Sequence, residues 1–373
     1  MNRVVIGIVL LLVIVGGVIA LDRIGLDSFT RTKGPDAITV KFLVGGEKSE
    51  FIKNPKVVKI LKDKYGITMD GRKAGSIEMV TNKPEADIDA LWPSNEIAME
   101  LYQHRYGQPA GDDLVFNSPI VFYTWRPIAD AFEKSGLVKS SGGTHYTIDT
   151  QKLIELIQAG SDWKSLGVDE LWGNATIQST DPTKSNSGNM FSGLLANMLA
   201  GGKVSTIADV DSNAKAIQSF FKQMGYMESS SGDIFRKYLD TGIGAKPIIV
   251  GYENQLIEFY IANERYRDLI EKEVVTLYPL PTFWASHPVI TLNDKGKRFA
   301  KALLDEEIQS IAWSEHGFRS GLKDRVTDTD AVAIKGLAPT VTSVMPMPNA
   351  SVMERIIKLL DPETLSRATA FGS

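Results

Sequence analysis

Two extended runs set far apart in the chain, residues 114–125 interrupted by Pro119 and residues 274–279 ending at Pro279, constrain its architecture more than any other feature. A proline in an extended run removes a ladder donor, which suits a sheet edge or a strand passing from one lobe to another. The text before, between and after the two runs alternates strand and helix patterns. A chain that leaves one α/β lobe at the first run, builds a second lobe and returns at the second run satisfies this arrangement.

The flanking text supports it. Residues 38–44 are β-branched and alternating, and Gly45-Gly46 ends them as a strand. Phe51, Val57, Val58, Leu61 and Tyr65 recur at helical spacing up to Gly66, a helix stop. Residues 77–80 read as the next strand, 87–92 as a third, and 96–106 as a helix. Helices are expected at 127–135 and 151–158, a strand at 172–179 and an apolar helix at 189–200. A strand at 246–252 leads into a helix at 254–262, and after the second run come a strand at 288–292 and helices at 295–304 and 306–314.

The amino terminus adds a location. Arg3 precedes an apolar run from Val4 to Leu21 that Asp22 and Arg23 close, a charge order that keeps the terminus in the cytoplasm and exports the remainder of the chain. As a helix the run would cover roughly 27 Å, close to the thickness of a bilayer's hydrocarbon core. A retained transmembrane anchor and a signal cleaved near Ala20, after Val18-Ile19-Ala20, both fit. The first places the chain on the cell membrane as a single-pass protein with an extracytoplasmic domain, the second leaves it secreted or periplasmic. The expected organisation is a signal-anchor at 1–22, a linker at 23–36, the first part of lobe I at 37–118, lobe II at 119–274, and the return to lobe I at 275–373.

Composition removes several function classes. The chain has no cysteine, which excludes a disulfide, a thiolate metal site, a cysteine nucleophile and a lipid-modified amino-terminal cysteine. Its net charge is −4, with lysine and arginine scattered, so no basic stripe points to nucleic acid. His104, His145, His287 and His316 show no metal-ligand spacing, and no G-x-S-x-G elbow or phosphate-cradling glycine motif is present. No enzyme activity, metal or cofactor is expected.

The loop at 179–188, rich in Ser, Thr and Asn and set before an apolar helix, is the most informative site candidate. Its amides and hydroxyls surround the positive end of a helix dipole, and Lys184 adds charge. The same groups also serve as simple helix caps, so Ser185, Asn186 and Ser187 support either reading. Ser49 after the first strand, Ser94-Asn95 after the third, Ser118 at the first crossing and Tyr252-Glu253 before the second also stand at strand ends. In open α/β sheets ligands bind at the carboxyl ends of strands, so these groups could share one cleft. Trp92 and Trp284 lie near the same loops, where packing is the competing role.

The text of residues 173–182 with Ser185-Asn186-Ser187-Gly188, then Val250-Gly251-Tyr252-Glu253-Asn254, resembles the type II periplasmic solute-binding proteins, the group of molybdate-type and iron-type extracellular binding proteins. Tyr278-Pro279, His287-Pro288-Val289-Ile290 and the late helix Ile308-Gln309-Ser310-Ile311-Ala312 leading to Gly317-Phe318-Arg319 extend the likeness over nearly all of the chain after Pro35. The resemblance implies a two-lobed clamp that closes on a small polar or anionic solute and delivers it to a membrane permease. It places ligand contacts at Ser49, Ser94, Ser118, Ser185, Ser187 and Tyr252. Two departures qualify it: the paired tyrosines of an iron(III) clamp are missing, and Glu253 sets a carboxylate where an oxyanion binder would not want one. A peptide, amine or other mixed-charge solute is therefore also open. The alternative from another class is a membrane-anchored interaction or signalling module that keeps the fold and binds another envelope protein.

Overall fold

The computed structural model describes residues 36–143, 145–322 and 327–361. The expected anchor at 1–22 and all but the last residue of the expected linker lie outside the described residues. No helix among the described residues is long and apolar enough to cross a membrane.

Among the described residues ten strands occur in order, β1 (Ile38–Val44), β2 (Ile67–Lys73), β3 (Ala90–Trp92), β4 (Gly111–Trp125), β5 (Val138–Ser141), β6 (His145–Asp149), β7 (Ile248–Tyr252), β8 (Val274–Leu280), β9 (Trp284–Thr291) and β10 (Arg319–Ser320). The helices are α1 (Pro55–Tyr65), α2 (Glu78–Thr81), α3 (Glu96–Tyr106), α4 (Arg126–Lys134), α5 (Thr150–Gln158), α6 (Asn186–Leu199), α7 (Ile207–Ser212) and α8 (Ala214–Gln223). They continue as α9 (Ser231–Thr241), α10 (Glu253–Ala262), α11 (Arg267–Glu273), α12 (Asp294–Leu303), α13 (Glu306–His316) and α14 (Ala350–Leu360). This is a mixed α/β fold.

Strand β4 organises it. Its first part, through Pro119, pairs antiparallel with β9 and at Phe116 and Asn117 with β10. From Ile120 onward the partners change to β7 on one side and β8 on the other. The first sheet runs β2-β1-β3-β9-β4, with β1 parallel to both β2 and β3. The second continues from β4 through β8, β6 and β5, with β7 on the other flank of β4. Pro119, which lacks a donor, sits at the changeover, where the ladder would lose least.

Two clusters form the core, one confined to the first sheet and one continuous across both. On the first, Phe51, Trp92, Phe116 and Phe318 are buried together, with the Phe116 and Phe318 rings stacked at 4.9 Å and Trp92 to Phe116 at 5.4 Å. Burying each ring contributes ~1.5–3 kcal/mol. The second core gathers Phe122, Tyr123, Phe191, Phe221 and Phe235 against β4 and β7. Helix α14 lies across both halves. Ala350 N donates to Glu100 on α3 at 3.1 Å, Arg355 pairs with Asp211 on α7 at 2.7 Å, and Gln218 on α8 donates to Leu359 O at 3.0 Å.

Several expectations need correction. Residues 77–80 are not a strand: Met79 and Val80 are both buried, a pairing that a helical turn presents and an alternating strand does not, and they fall at α2. The place beside β1 belongs to β2, whose Asp70, Gly71 and Arg72 gave little apolar signal. Residues 172–179 form only isolated bridges, Asp162 to Asn174 and Gln178 to Ile249, because the segment leaves β7 after one residue. The helix expected at 189–200 starts at Asn186. The chain re-enters the first sheet with β9, after 280, and not at 275, since β8 still pairs with the second half of β4.

The early start of α6 rests on Gly188. A Cβ there would stand 2.1 Å from Thr180 O, so only glycine lets the first turn sit against the loop behind it. Gly188→Ala is expected to lower unfolding free energy by about 1–3 kcal/mol through forced displacement of that loop, measured by urea denaturation.

Candidate functional site

A cleft of about 1050 Å³ separates loops carried by the two sheets. The turn after β1 and the segment after β2 form one wall, and the starts of α6 and α9 together with one side of α10 form the other. The first wall comes close to the floor because Gly45 has no side chain: a Cβ there would lie 2.5 Å from Ser94 Oγ.

The expected site residues divide into three groups. Ser49, Ser185, Asn186 and Tyr252 line the cleft. Ser94 and Asn95 lie beneath it, fully buried. Asn95 caps α3 by accepting from Ala98 N at 2.9 Å, and its amide donates to Asn186 Oδ1. Asn186 in turn donates to Tyr252 Oη at 2.8 Å and to Ser94 O at 3.2 Å. Side chains of the two walls therefore meet at one buried polar junction. Burial first, then the charge of Glu47, pushes the Tyr252 hydroxyl well above its ordinary pKa, so it remains a donor and acceptor.

Ser118, Ser187 and Glu253 do not line the cleft. Ser118 Oγ donates to Asn254 Oδ1 at 3.1 Å and accepts from Asn254 N at 3.3 Å, joining β4 to α10 at the changeover between sheets. Ser187 is buried against Thr180 Oγ1 at 2.8 Å and Ser185 Oγ at 3.2 Å. Ser185 is the N-cap residue of α6 but its hydroxyl makes no cap bond, so its main-chain position, not its side chain, starts the helix. Glu253 is buried in a bidentate pair with Arg319, both bonds 2.6 Å, and accepts from Tyr278 Oη at 2.5 Å. Its charge is spent inside the protein, so it gives no reason to reject an anionic group in the cleft.

The floor also holds residues that sequence reading passed over. Lys48 is fully buried and pairs with Glu47, and its Nζ lies 3.2 Å from Pro93 O, 3.2 Å from Ser94 Oγ and 3.1 Å from His287 Nδ1. Burial pushes the Glu47 carboxyl up, but Lys48 and His287 outweigh it and hold the carboxyl below the usual carboxylate range. Burial, with the Lys48 charge beside it, pushes His287 down to about 4 from an ordinary 6.5. On the opposite wall, Ser229, Ser230, Ser231 and Gly232 open α9 and bring Arg236 to the cleft. The Ser-Ser-Ser-Gly run before an amphipathic stretch is the same signal that drew attention to 179–188, and it could have been found.

The charged lining is mixed. Glu47, Glu50, Glu78, Asp233 and Glu258 face Lys73, Lys184 and Arg236. Lys184 pairs with Asp181, whereas Lys73 and Arg236 have no carboxylate partner among the described residues. Burial raises the Glu258 carboxyl against the pull of His316, whose Nδ1 lies 2.6 Å away.

No family model matches the chain, and no curated protein matches it. Solved structures do. Iron-bound HitA from Pseudomonas aeruginosa is similar over 90% of this chain and 100% of its own, at 12% identity and TM-score 0.57. The substrate-binding protein of an ABC transporter from Agrobacterium tumefaciens matches over 90% and 96%, at 14% identity and TM-score 0.56. A two-component system protein described as mediating signal transduction matches over 86% and 100%, at 12% identity and TM-score 0.54. The chain has the fold of the type II periplasmic solute-binding proteins.

The floor predicts an acid response. His287, with its folded pKa below the unfolded one, contributes stability that is present above about 6.5 and lost as pH falls toward 4; Glu47, also depressed, adds loss below its unfolded value of 4.5. Melting temperature should therefore fall from pH 6.5 to 4, and His287→Gln should flatten that part of the curve.

Proposed function

We propose that this chain is an extracytoplasmic solute-binding protein that holds a small polar solute between its two sheets for delivery to a membrane permease. The observation that carries the reading is the cleft itself: both walls present main-chain groups, hydroxyls and charges to one space of about 1050 Å³. Small-molecule sites run from about 300 to 1,000 Å³, so this one has room for an organic solute well beyond a bare ion. Lys48 neutralises Glu47, and the four other carboxylates against three cations make a simple oxyanion a poor match. A solute with both signs of charge fits better, its anionic end near Arg236 and the starts of α6 and α9, its cationic end toward Glu258 and Glu50. The amino-terminal run would keep the domain at the membrane, near that permease, if it is retained.

The second reading, an envelope interaction or signalling module, is favoured by the two-component system protein among the similar structures. It separates from the first in a thermal-shift screen across inorganic anions, metal ions, sugars, amino acids and polyamines. A solute at 100 times its Kd stabilises the native state by about 2.7 kcal/mol, which is readily seen as a raised melting temperature. The expected hit is a mixed-charge organic compound, with Arg236→Ala weakening its Kd by about tenfold or more through loss of a charged hydrogen bond. Silence across every class would favour the interaction module.

A further inference from the structure

The surroundings of Lys48 are those of a bound cation. A carboxylate oxygen of Glu47, the Pro93 carbonyl and the Ser94 hydroxyl converge on Nζ, with His287 Nδ1 3.1 Å away and the Trp92 ring 5.6 Å below. Carboxylate, carbonyl and hydroxyl oxygens are the donors that hold hard cations. Taking an ammonium out of water costs several kcal/mol unless acceptors replace its hydration, and here three N–H bonds meet three oxygen acceptors. The set is built from three separate segments: the turn after β1, the two residues that follow β3 and the middle of β9. His287 is itself fully buried, and its other nitrogen, Nε2, has no partner among the described residues. Packing alone would not require so many acceptors about one atom.

We propose that the floor of the cleft is a cation-binding pocket whose resident occupant is the chain's own Lys48 ammonium, and that it takes a small primary ammonium ion when Lys48 is shortened. Lys48 and Glu47 cancel in charge and His287 is neutral, so the floor offers the solute no net field. The solute is left to the rim charges above it. This inference does not depend on which solute the cleft takes, and its failure would leave the solute-binding proposal standing.

Lys48→Ala removes the three terminal carbons and the ammonium, a gap with the shape of n-propylammonium. The test compares thermal unfolding of the wild type, Lys48→Ala and the double variant Glu47→Gln/Lys48→Met in n-propylammonium chloride and, at equal ionic strength, in tetramethylammonium chloride, which has no N–H to donate. Lys48→Ala should melt below the wild type and should gain several degrees in propylammonium beyond its response to tetramethylammonium, as a ligand of the native state would give. The wild type should respond equally to the two salts. The double variant, which keeps the volume and removes both charges, should melt above Lys48→Ala and show no preference for propylammonium. The proposal is overturned if Lys48→Ala shows no amine-specific gain, including failure to fold in propylammonium, if the wild type gains as much, or if the double variant melts no higher than Lys48→Ala.

Discussion

The structure depends on one strand serving two sheets. Every main-chain donor and acceptor of β4 must be satisfied along its whole buried length, first against β9 and β10 and then against β7 and β8. The two halves are thus joined through a continuous ladder, with Pro119 at the residue where partners change. Pro119 and the 281–283 return are the places where the chain passes from one sheet's pairing to the other's.

Polar side chains reinforce the same place. Arg319, on β10 of the first sheet, reaches Glu253 at the start of α10, and Ser118 reaches Asn254 beside it. Removing either partner of such a pair would strand a buried charge. Farther out, α14 bonds to α3 on one side and to α7 and α8 on the other. The junction of Asn95, Asn186 and Tyr252 ties the walls at the floor. The cleft is therefore a mouth between walls held together at the base, lined by Ser49, Lys73, Arg236 and Glu258 among others.

Much of this was legible in the sequence because the informative elements bury one face. Strand β1, helix α1 with its closing Gly66, and β4 with its proline announce themselves by periodicity and punctuation. Strand β2 did not, because it alternates buried Ile67 with exposed polar residues at a sheet edge. Residues 172–179 misled for the opposite reason: Trp172 is 81% exposed while Ala175 and Ile177 are buried, an alternation that an irregular segment can imitate. At the site, residue type located Ser49, Asn186 and Tyr252 at the cleft, but the direction of a side chain is set by distant partners. Arg319 lies 66 residues from Glu253, and His287 lies 239 from Lys48, so neither pairing leaves a local trace.

The central claim is that one solute touches both walls. Hydrogen–deuterium exchange of the protein, with and without a solute that raises its melting temperature, tests this most directly. The account predicts slowed exchange in residues 45–50 and 229–236 together, since these segments face each other across the cleft. Protection of one wall alone, or of neither, would contradict it.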